Sequence, residues 1–388
     1  MTIPISNTLD AEMTRWRQDF HAHPERGFAE HRTAARVAEL LERFGLEVHQ
    51  GVGGTGVVGV LRRGNGPGAI GLRADMDALP ITETTNLGYR STSPGTMHAC
   101  GHDGHTAMLL GAAKHLVDHG KFNGCVVFIF QPNEEHGLGA RAMLNDGLFR
   151  RFPVDQVFGI HNMPGLPLGH IETRTGPMTA SESLFEIEIT ARGGHAALPH
   201  MGGDAIMVGA QIVGALQTIV SRKLDPGLNG VVSVTEFTTD GGRNVLPGTA
   251  LLKGDARALT PEITAQIEQR MRQIVDGVCA AHDVSATTRF VTEFPPTINA
   301  TAPVIAATSA GRTLFRAGAN GTCPPKLFSE DFAHMAQAVP GCFLLLGNGT
   351  EGAYARPLHS ADYDFNDAAL TTGASFWITL VEQELAGA

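Results

Sequence analysis

The chain has 388 residues, 43% of them hydrophobic, and a formal net charge of −10 at neutral pH. That length allows two domains or one elaborated domain with a large core, and that charge excludes a general nucleic-acid binder, which needs a basic face for phosphates. No run approaches the roughly 18 uninterrupted apolar residues of a membrane-crossing helix, so no membrane partner is expected.

Met1–Asp10 lacks a basic start followed by an apolar core, so no export signal is expected. A helix-periodic run covers Leu9–Ala22 and is broken by His23-Pro24-Glu25; a second covers Glu30–Phe44 and stops at Gly45. Short apolar runs follow at Gly56–Leu61, Ala69–Leu72, Cys125–Gln131 and Val157–His161, with helix-length segments between several of them. One of those segments, Thr106 to about His119, repeats Met108, Leu109, Ala112, Ala113, Leu116 and Val117 at helical spacing. This alternation predicts an α/β main domain with a largely parallel sheet flanked by helices. In such sheets, sites form just beyond the carboxyl ends of the strands.

The pattern changes near Ser183. Leu184–Ala191 alternates apolar and polar residues, as a half-exposed strand does. A helix over Asp204–Ser221, strands at Val231–Thr238 and Thr249–Ala256, a helix over Pro261–Ala281 and a strand near Thr287–Thr292 complete a β-α-β-β-α-β order. After Pro295-Pro296 the first style returns, with a helix over Ala302–Ala317, a buried strand at Cys342–Gly347 and a last helix over Asn366–Glu384. The expected organisation is a catalytic domain in two pieces, 1–183 and 297–388, interrupted by an inserted α+β satellite domain, 184–296.

Chemistry concentrates in Met97-His98-Ala99-Cys100-Gly101-His102-Asp103-Gly104-His105-Thr106, a loop expected to run into the helix at Thr106. Thiolate and imidazole at close spacing are ligands that zinc, nickel, cobalt or manganese ions can share. Glu134-Glu135 follow a strand that ends at Gln131-Pro132, and adjacent carboxylates there can divide the roles of ligand and general base. His161 ends another apolar strand, and His359 sits in a polar loop before the last helix. Asp75 and Asp77 alternate just past the Ala69–Leu72 strand, where they could orient ligand imidazoles. Read singly, each has an ordinary structural reading: a solvated acidic loop, a satisfied histidine, a helix cap, a turn. Read together, they set Cys, His and Glu on several strand ends at one sheet edge, and that convergence points to a metal centre. The five cysteines are odd in number and scattered, which fits reduced thiols in a cytoplasm better than a disulfide framework.

These stretches resemble the M20 metallopeptidase family, and within it the aminoacylase and hippurate hydrolase-like amidohydrolases. The resemblance starts at Phe20-His21-Ala22-His23-Pro24-Glu25 and takes in Ala74-Asp75-Met76-Asp77-Ala78-Leu79-Pro80, the Cys100 cluster and Gln131-Pro132-Asn133-Glu134-Glu135. It continues through Gly159-Ile160-His161-Asn162, Gly193-Gly194-His195-Ala196-Ala197-Leu198-Pro199-His200, Ser329-Glu330-Asp331-Phe332 and the His359 loop. By this resemblance Cys100, His102, Glu135, His161 and His359 match the ligands of a two-metal site, with Cys100 as the bridge, and Glu134 matches the general base. Zinc, manganese, nickel and cobalt are the candidate ions. Asp75 stands where the broader peptidase family has a metal-binding histidine, a departure shared by the cysteine-bearing subgroup. Asn244 and Arg257 resemble substrate-binding positions. His195 matches a histidine that in many dimeric members reaches the partner subunit's site and stabilises the oxyanion, which implies a homodimer formed through the satellite domains; service to its own chain's site stays open beside it.

The implied reaction is hydrolysis of an N-acyl amino acid carrying an acetyl, benzoyl or indole-acetyl group. Three rivals stay open: a dipeptidase or carboxypeptidase of the same fold, a hydrolase that uses Cys100 as nucleophile with His102 or His105, and a non-catalytic binding protein. The presence of Glu134 and all five ligand positions counts against the last.

Overall fold

The structure is a computed structural model that describes residues 5–387. Its contacts divide the chain into two compact units. The first takes in the described residues of Met1–Met178, Ile298–Pro324 and Glu330–Ala388; the second takes in Thr179–Thr297 and Pro325–Ser329. The short Pro325–Ser329 piece joins the second unit through specific bonds: the Ala180 N–H donates to the Phe328 carbonyl at 3.0 Å, and Arg257 Nη1 donates to Ser329 Oγ at 2.7 Å.

In the first unit, helix α1 (Asn7–Ala22) starts at Ser6, whose hydroxyl accepts the Leu9 N–H. Helix α2 (His31–Phe44) ends at Gly45, which adopts φ 93°. Its buried face carries Val37, Ala38, Leu40 and Leu41, and each large aliphatic side chain so buried contributes about 1.5–3 kcal/mol. Strands β1 (Glu47–Val52) and β2 (Gly56–Arg63) form a hairpin, followed by β3 (Ala69–Asp75), helix α3 (His102–His119), β4 (Gly124–Gln131) and β5 (Gln156–Pro164). The eight-stranded sheet has the order β1-β2-β4-β3-β5, then Gly341–Gly349, Ile171–Glu172 and Ala319–Asn320. Its centre is parallel: β4 to β3, β3 to β5, and β5 to Gly341–Gly349. The antiparallel hairpin lies at one edge. Every residue of β4 is buried, which explains why it reads as an unbroken apolar run rather than an alternating one.

The structure corrects one expectation here. Helix α3 begins at His102 rather than Thr106. Gly101 makes this possible: it adopts φ 92°, and its carbonyl accepts the Gly104 and His105 N–H groups. A side chain at this position would collide with Asn162 and Tyr363 as well as strain the backbone. His102 and His105 are therefore not loop residues. They sit three apart on one face of the first helical turn.

In the second unit, strands Gly230–Thr239, Thr249–Ala258, Glu182–Thr190 and Ser285–Phe294 form an antiparallel sheet in that order. Helices Ala205–Thr218 and Pro261–Ala281 pack on it, and Phe185, Ile187 and Ile189 from the alternating strand meet Val208, Ile212, Ile267 and Met271 in a separate core. The stretch Ala205–Lys223 is long and apolar enough to cross a membrane by length and composition, with a mean hydropathy of 1.3. Its Val208, Ile212, Leu216 and Ile219 are buried in this core.

Candidate metal centre

The parallel strands deliver the candidate residues to one edge. Asp75 is the last residue of β3 and pairs with Gln131, the last of β4. The chain then turns through Pro132 and Asn133 to Glu134 and Glu135. Asn133 holds φ 46°, an uncommon conformation for a residue with a side chain, while its N–H donates to buried Glu30 Oε1 at 2.8 Å. His161 lies near the end of β5, and His359 arrives on a loop with φ 64°, fixed by its N–H to the Ala99 carbonyl at 2.8 Å.

All five sequence-named ligand candidates and Glu134 come together. One donor atom each of Cys100, His102 and His161 lie within 4.8 Å of one another; so do those of Cys100, Glu135 and His359, and those of His102, Glu134 and Glu135. Cys100 Sγ is 3.3 Å from His161 Nε2, and His359 Nε2 is 3.5 Å from Glu135 Oε2. The rings are held from behind. His102 Nδ1 donates to the Asp77 carbonyl at 2.9 Å, and His161 Nδ1 donates to the Asn162 carbonyl at 2.7 Å. Anchoring Nδ1 in this way leaves Nε2 as the lone-pair donor, as for a metal-ligating histidine. His102 Nε2 and Glu135 Oε1 are buried without a hydrogen-bond partner, an arrangement that costs stability unless a ligand completes it.

The surrounding carboxylates fix the frame. The Asp77 side chain accepts the backbone N–H groups of both Glu134 and Glu135, at 3.0 and 3.1 Å. Asp75 accepts His105 Nδ1–H at 2.6 Å and Arg73 Nη1–H at 2.8 Å. His105 Nε2 in turn accepts the Asn162 N–H at 2.9 Å, so both nitrogens of His105 are engaged and it serves orientation. Arg73 is fully buried and also binds Glu330 at 2.9 Å, Asp331 at 3.2 Å and Gln131 at 2.8 Å. The reading of the sequence left Arg73, Glu330 and Asp331 without a role. The available signal was a charged residue inside an apolar strand, Gly71-Leu72-Arg73-Ala74, which only a buried partner set can tolerate. Similarly, His21 binds Asp103 at 2.9 Å beside buried Arg17, behind the ligand loop.

The electrostatics describe a site short of positive charge. Burial raises the Cys100 thiol well above its ordinary range, and Glu135, Glu134 and Asp75 push it further. Burial also raises Glu134, reinforced by Glu330, Glu135 and Asp331 against the opposing Arg73. Burial lifts Glu135 to about 7 despite His102. Burial would lower His102, but Asp75, Asp77 and Glu135 outweigh it and raise it to about 10. Bound divalent cations reverse this logic, drawing the proton off a thiol and stabilising clustered carboxylates. The donor set of thiolate, imidazole and carboxylate therefore fits such ions.

The other named residues lie in the second unit. His195 forms a two-residue bridge with Val245, and the Ala196 N–H donates to the Asn244 carbonyl at 3.0 Å, so His195 and Asn244 are neighbours. His195 Nδ1 accepts the Ala197 N–H at 3.0 Å, which places the ring proton on Nε2. Arg257 sits on the Thr249–Ala258 strand and is engaged by Asp255 at 2.8 Å and by Glu182 and Ser329 at 2.7 Å.

A thiol, imidazoles and paired carboxylates gathered at the carboxyl edge of a parallel sheet define a metallohydrolase. The sequence model of peptidase family M20/M25/M40 matches residues 71–383, and the chain belongs to that family. It is 40% identical over 379 residues to hippurate hydrolase from Campylobacter jejuni, covering 97% of this chain and 98% of that protein. It is 37% identical over 368 residues to thermostable carboxypeptidase 2 from Saccharolobus solfataricus, covering 92% and 91%. Among solved structures it is similar to the YxeP protein of Bacillus subtilis, described as a dinuclear metal-binding peptidase of the M20 family, with a TM-score of 0.85, 32% identity and coverage of 98% and 99%.

Proposed function

We propose that this chain is a metal-dependent amidohydrolase that cleaves N-acyl amino acids to a carboxylic acid and a free amino acid. The carrying observation is the cluster of Cys100, His102, Glu135, His161 and His359 beside Glu134. The similarity to a protein named for hippurate, which is N-benzoylglycine, supports the substrate class. Two divalent cations, of zinc, manganese, nickel or cobalt, are the cofactors. Cys100, His102 and His161 would hold one, Cys100, Glu135 and His359 the other, with Cys100 shared. When bound, such ions lower the pKa of a water and polarise a carbonyl.

The remaining work falls to the protein's own groups. Glu134, held beside the ligand cluster by its backbone N–H to Asp77, takes a proton from the attacking water and delivers it to the leaving amine. His195, with its proton on Nε2, is the donor to the oxygen on which charge develops. Arg257 and Asn244 bind the substrate carboxylate, the planar guanidinium matching both oxygens. For Arg257 this means exchanging Glu182 or Asp255 for the substrate.

The test is a substrate panel with product detection. Benzoyl, acetyl and indole-acetyl amino acids are compared with dipeptides, before and after metal removal. Turnover of the N-acyl amino acids that vanishes on chelation and returns with added metal is the expected result. Turnover of dipeptides alone favours the peptidase reading, which the carboxypeptidase relative supports. Activity that survives verified metal removal favours a Cys100 nucleophile.

The reading includes a cytoplasmic homodimer, supported by five buried free cysteines and by the placement of His195 in a unit with no metal-ligand candidates of its own. In this dimer each His195 serves the partner's centre. Mixing inactive Glu134→Gln and His195→Ala chains under subunit exchange should then restore activity, since one site of the hybrid has both residues intact. Verified exchange without recovery would place His195 in its own chain's site.

A further inference from the structure

Helix α3 carries ligand candidate His102 at its first residue and a second pair of imidazoles at its last turn. His115 and His119 are four residues apart, so their side chains rise from one face. Their ring centroids are 5.2 Å apart with planes at 69°. His115 is half-buried and His119 exposed. Two histidines at this spacing on one helix face form the imidazole pair of zinc-binding helices.

The setting supplies negative charge and a second element. The C-terminal helix Ala368–Glu384 packs along α3. Just beyond α3, Glu382 Oε1 accepts the Lys121 N–H at 2.8 Å. The carboxylates of Glu382 and Asp118 both act on His115. Lys114, in the same turn, is paired with Asp118 at 3.1 Å, which offsets its charge. Burial, followed by the neighbouring His119, lowers the pKa of His115, so at neutral pH it is in the unprotonated form that binds metal. Along the helix, His102 lies about 20–25 Å away, at 1.5 Å per residue, so this pair is separate from the catalytic cluster.

We propose that His115 and His119 form an additional metal site at the end of α3, taking one imidazole-preferring transition-metal ion such as Ni2+, Zn2+ or Cu2+, with Glu382 as the carboxylate that balances its charge. Imidazole suits these ions, while Mg2+ and Ca2+ prefer all-oxygen sites. An ion held by both imidazoles clamps the last turn of α3, so it acts on stability rather than on the chemical step.

The experiment uses enzyme already loaded with its catalytic ions and freed of excess metal. Ni2+ is titrated by calorimetry in a non-chelating buffer, and melting is followed with and without Ni2+. Wild type should bind one further equivalent and melt at a higher temperature by mass action. His119→Ala should bind that equivalent at least about tenfold more weakly, since even outer partners of a metal ligand are worth about 10–100-fold in affinity. It should lose the thermal shift and keep normal turnover. His115→Ala should behave likewise, and Glu382→Gln should weaken binding to a smaller degree. Mg2+ in place of Ni2+ should give no further equivalent. The proposal is overturned if wild type takes up no further Ni2+ or if both histidine variants take it up unchanged.

Discussion

Glu134→Gln should retain its fold and its metal content and lose at least about two orders of magnitude in turnover, the usual scale for loss of a general base. The substitution is close to isosteric, and the bond that positions residue 134 is made by its backbone N–H to Asp77, which the amide leaves intact. It also removes one negative charge from a buried group that includes Glu330, Asp331 and Glu135, so the fold has no electrostatic reason to weaken. The loss should fall on kcat with little change in KM, because the proton transfer is made only in the transition state. Steady-state kinetics on enzyme of verified metal content decide the matter. Near-normal kcat there removes Glu134 from the role of base.

Cys100→Ser should lose both bound metal and activity. A hydroxyl is a far poorer ligand than a thiolate for the candidate ions, and Cys100 belongs to the two groups proposed to hold the ions, so one substitution weakens two positions. The affinity loss should exceed the roughly 10–100-fold typical of changes to the partners behind a ligand. Metal analysis after dialysis against graded chelator measures it. Normal metal content combined with lost turnover would instead favour Cys100 as a nucleophile, because a site that holds its ions without the thiolate does not need it as a ligand.

The amino-acid sequence by itself determined the order of elements and the chemical identity of the candidates. Helix periods end at glycine or proline, buried strands read as apolar runs, and the half-exposed strand Glu182–Thr190 alternates, because backbone geometry imposes these periods locally. Cys100, His102, Glu134, Glu135, His161 and His359 were legible as candidates only together: each alone has an ordinary structural reading, and it was their convergence on one sheet edge, with the resemblance of the surrounding motifs, that marked them. Their mutual distances were not legible. They depend on the parallel pairing of β4, β3, β5 and Gly341–Gly349, which joins residues far apart in the chain and which no local pattern encodes.

Tertiary structure alone decided three further matters. It set the start of α3 at His102, because whether Gly101 takes φ 92° depends on Asn162 and Tyr363 occupying the space a side chain would need. It gave Asp77 its position behind Glu134 and Glu135, a bond across a turn that the alternation of Asp75 and Asp77 only hinted at. And it explained Arg73, a charge that makes no sense within an apolar strand until Glu330 and Asp331 arrive from elsewhere in the chain to join Asp75 of the same strand around it. A buried charge is set by its partners, and partners are a property of the packed molecule rather than of the sequence around it.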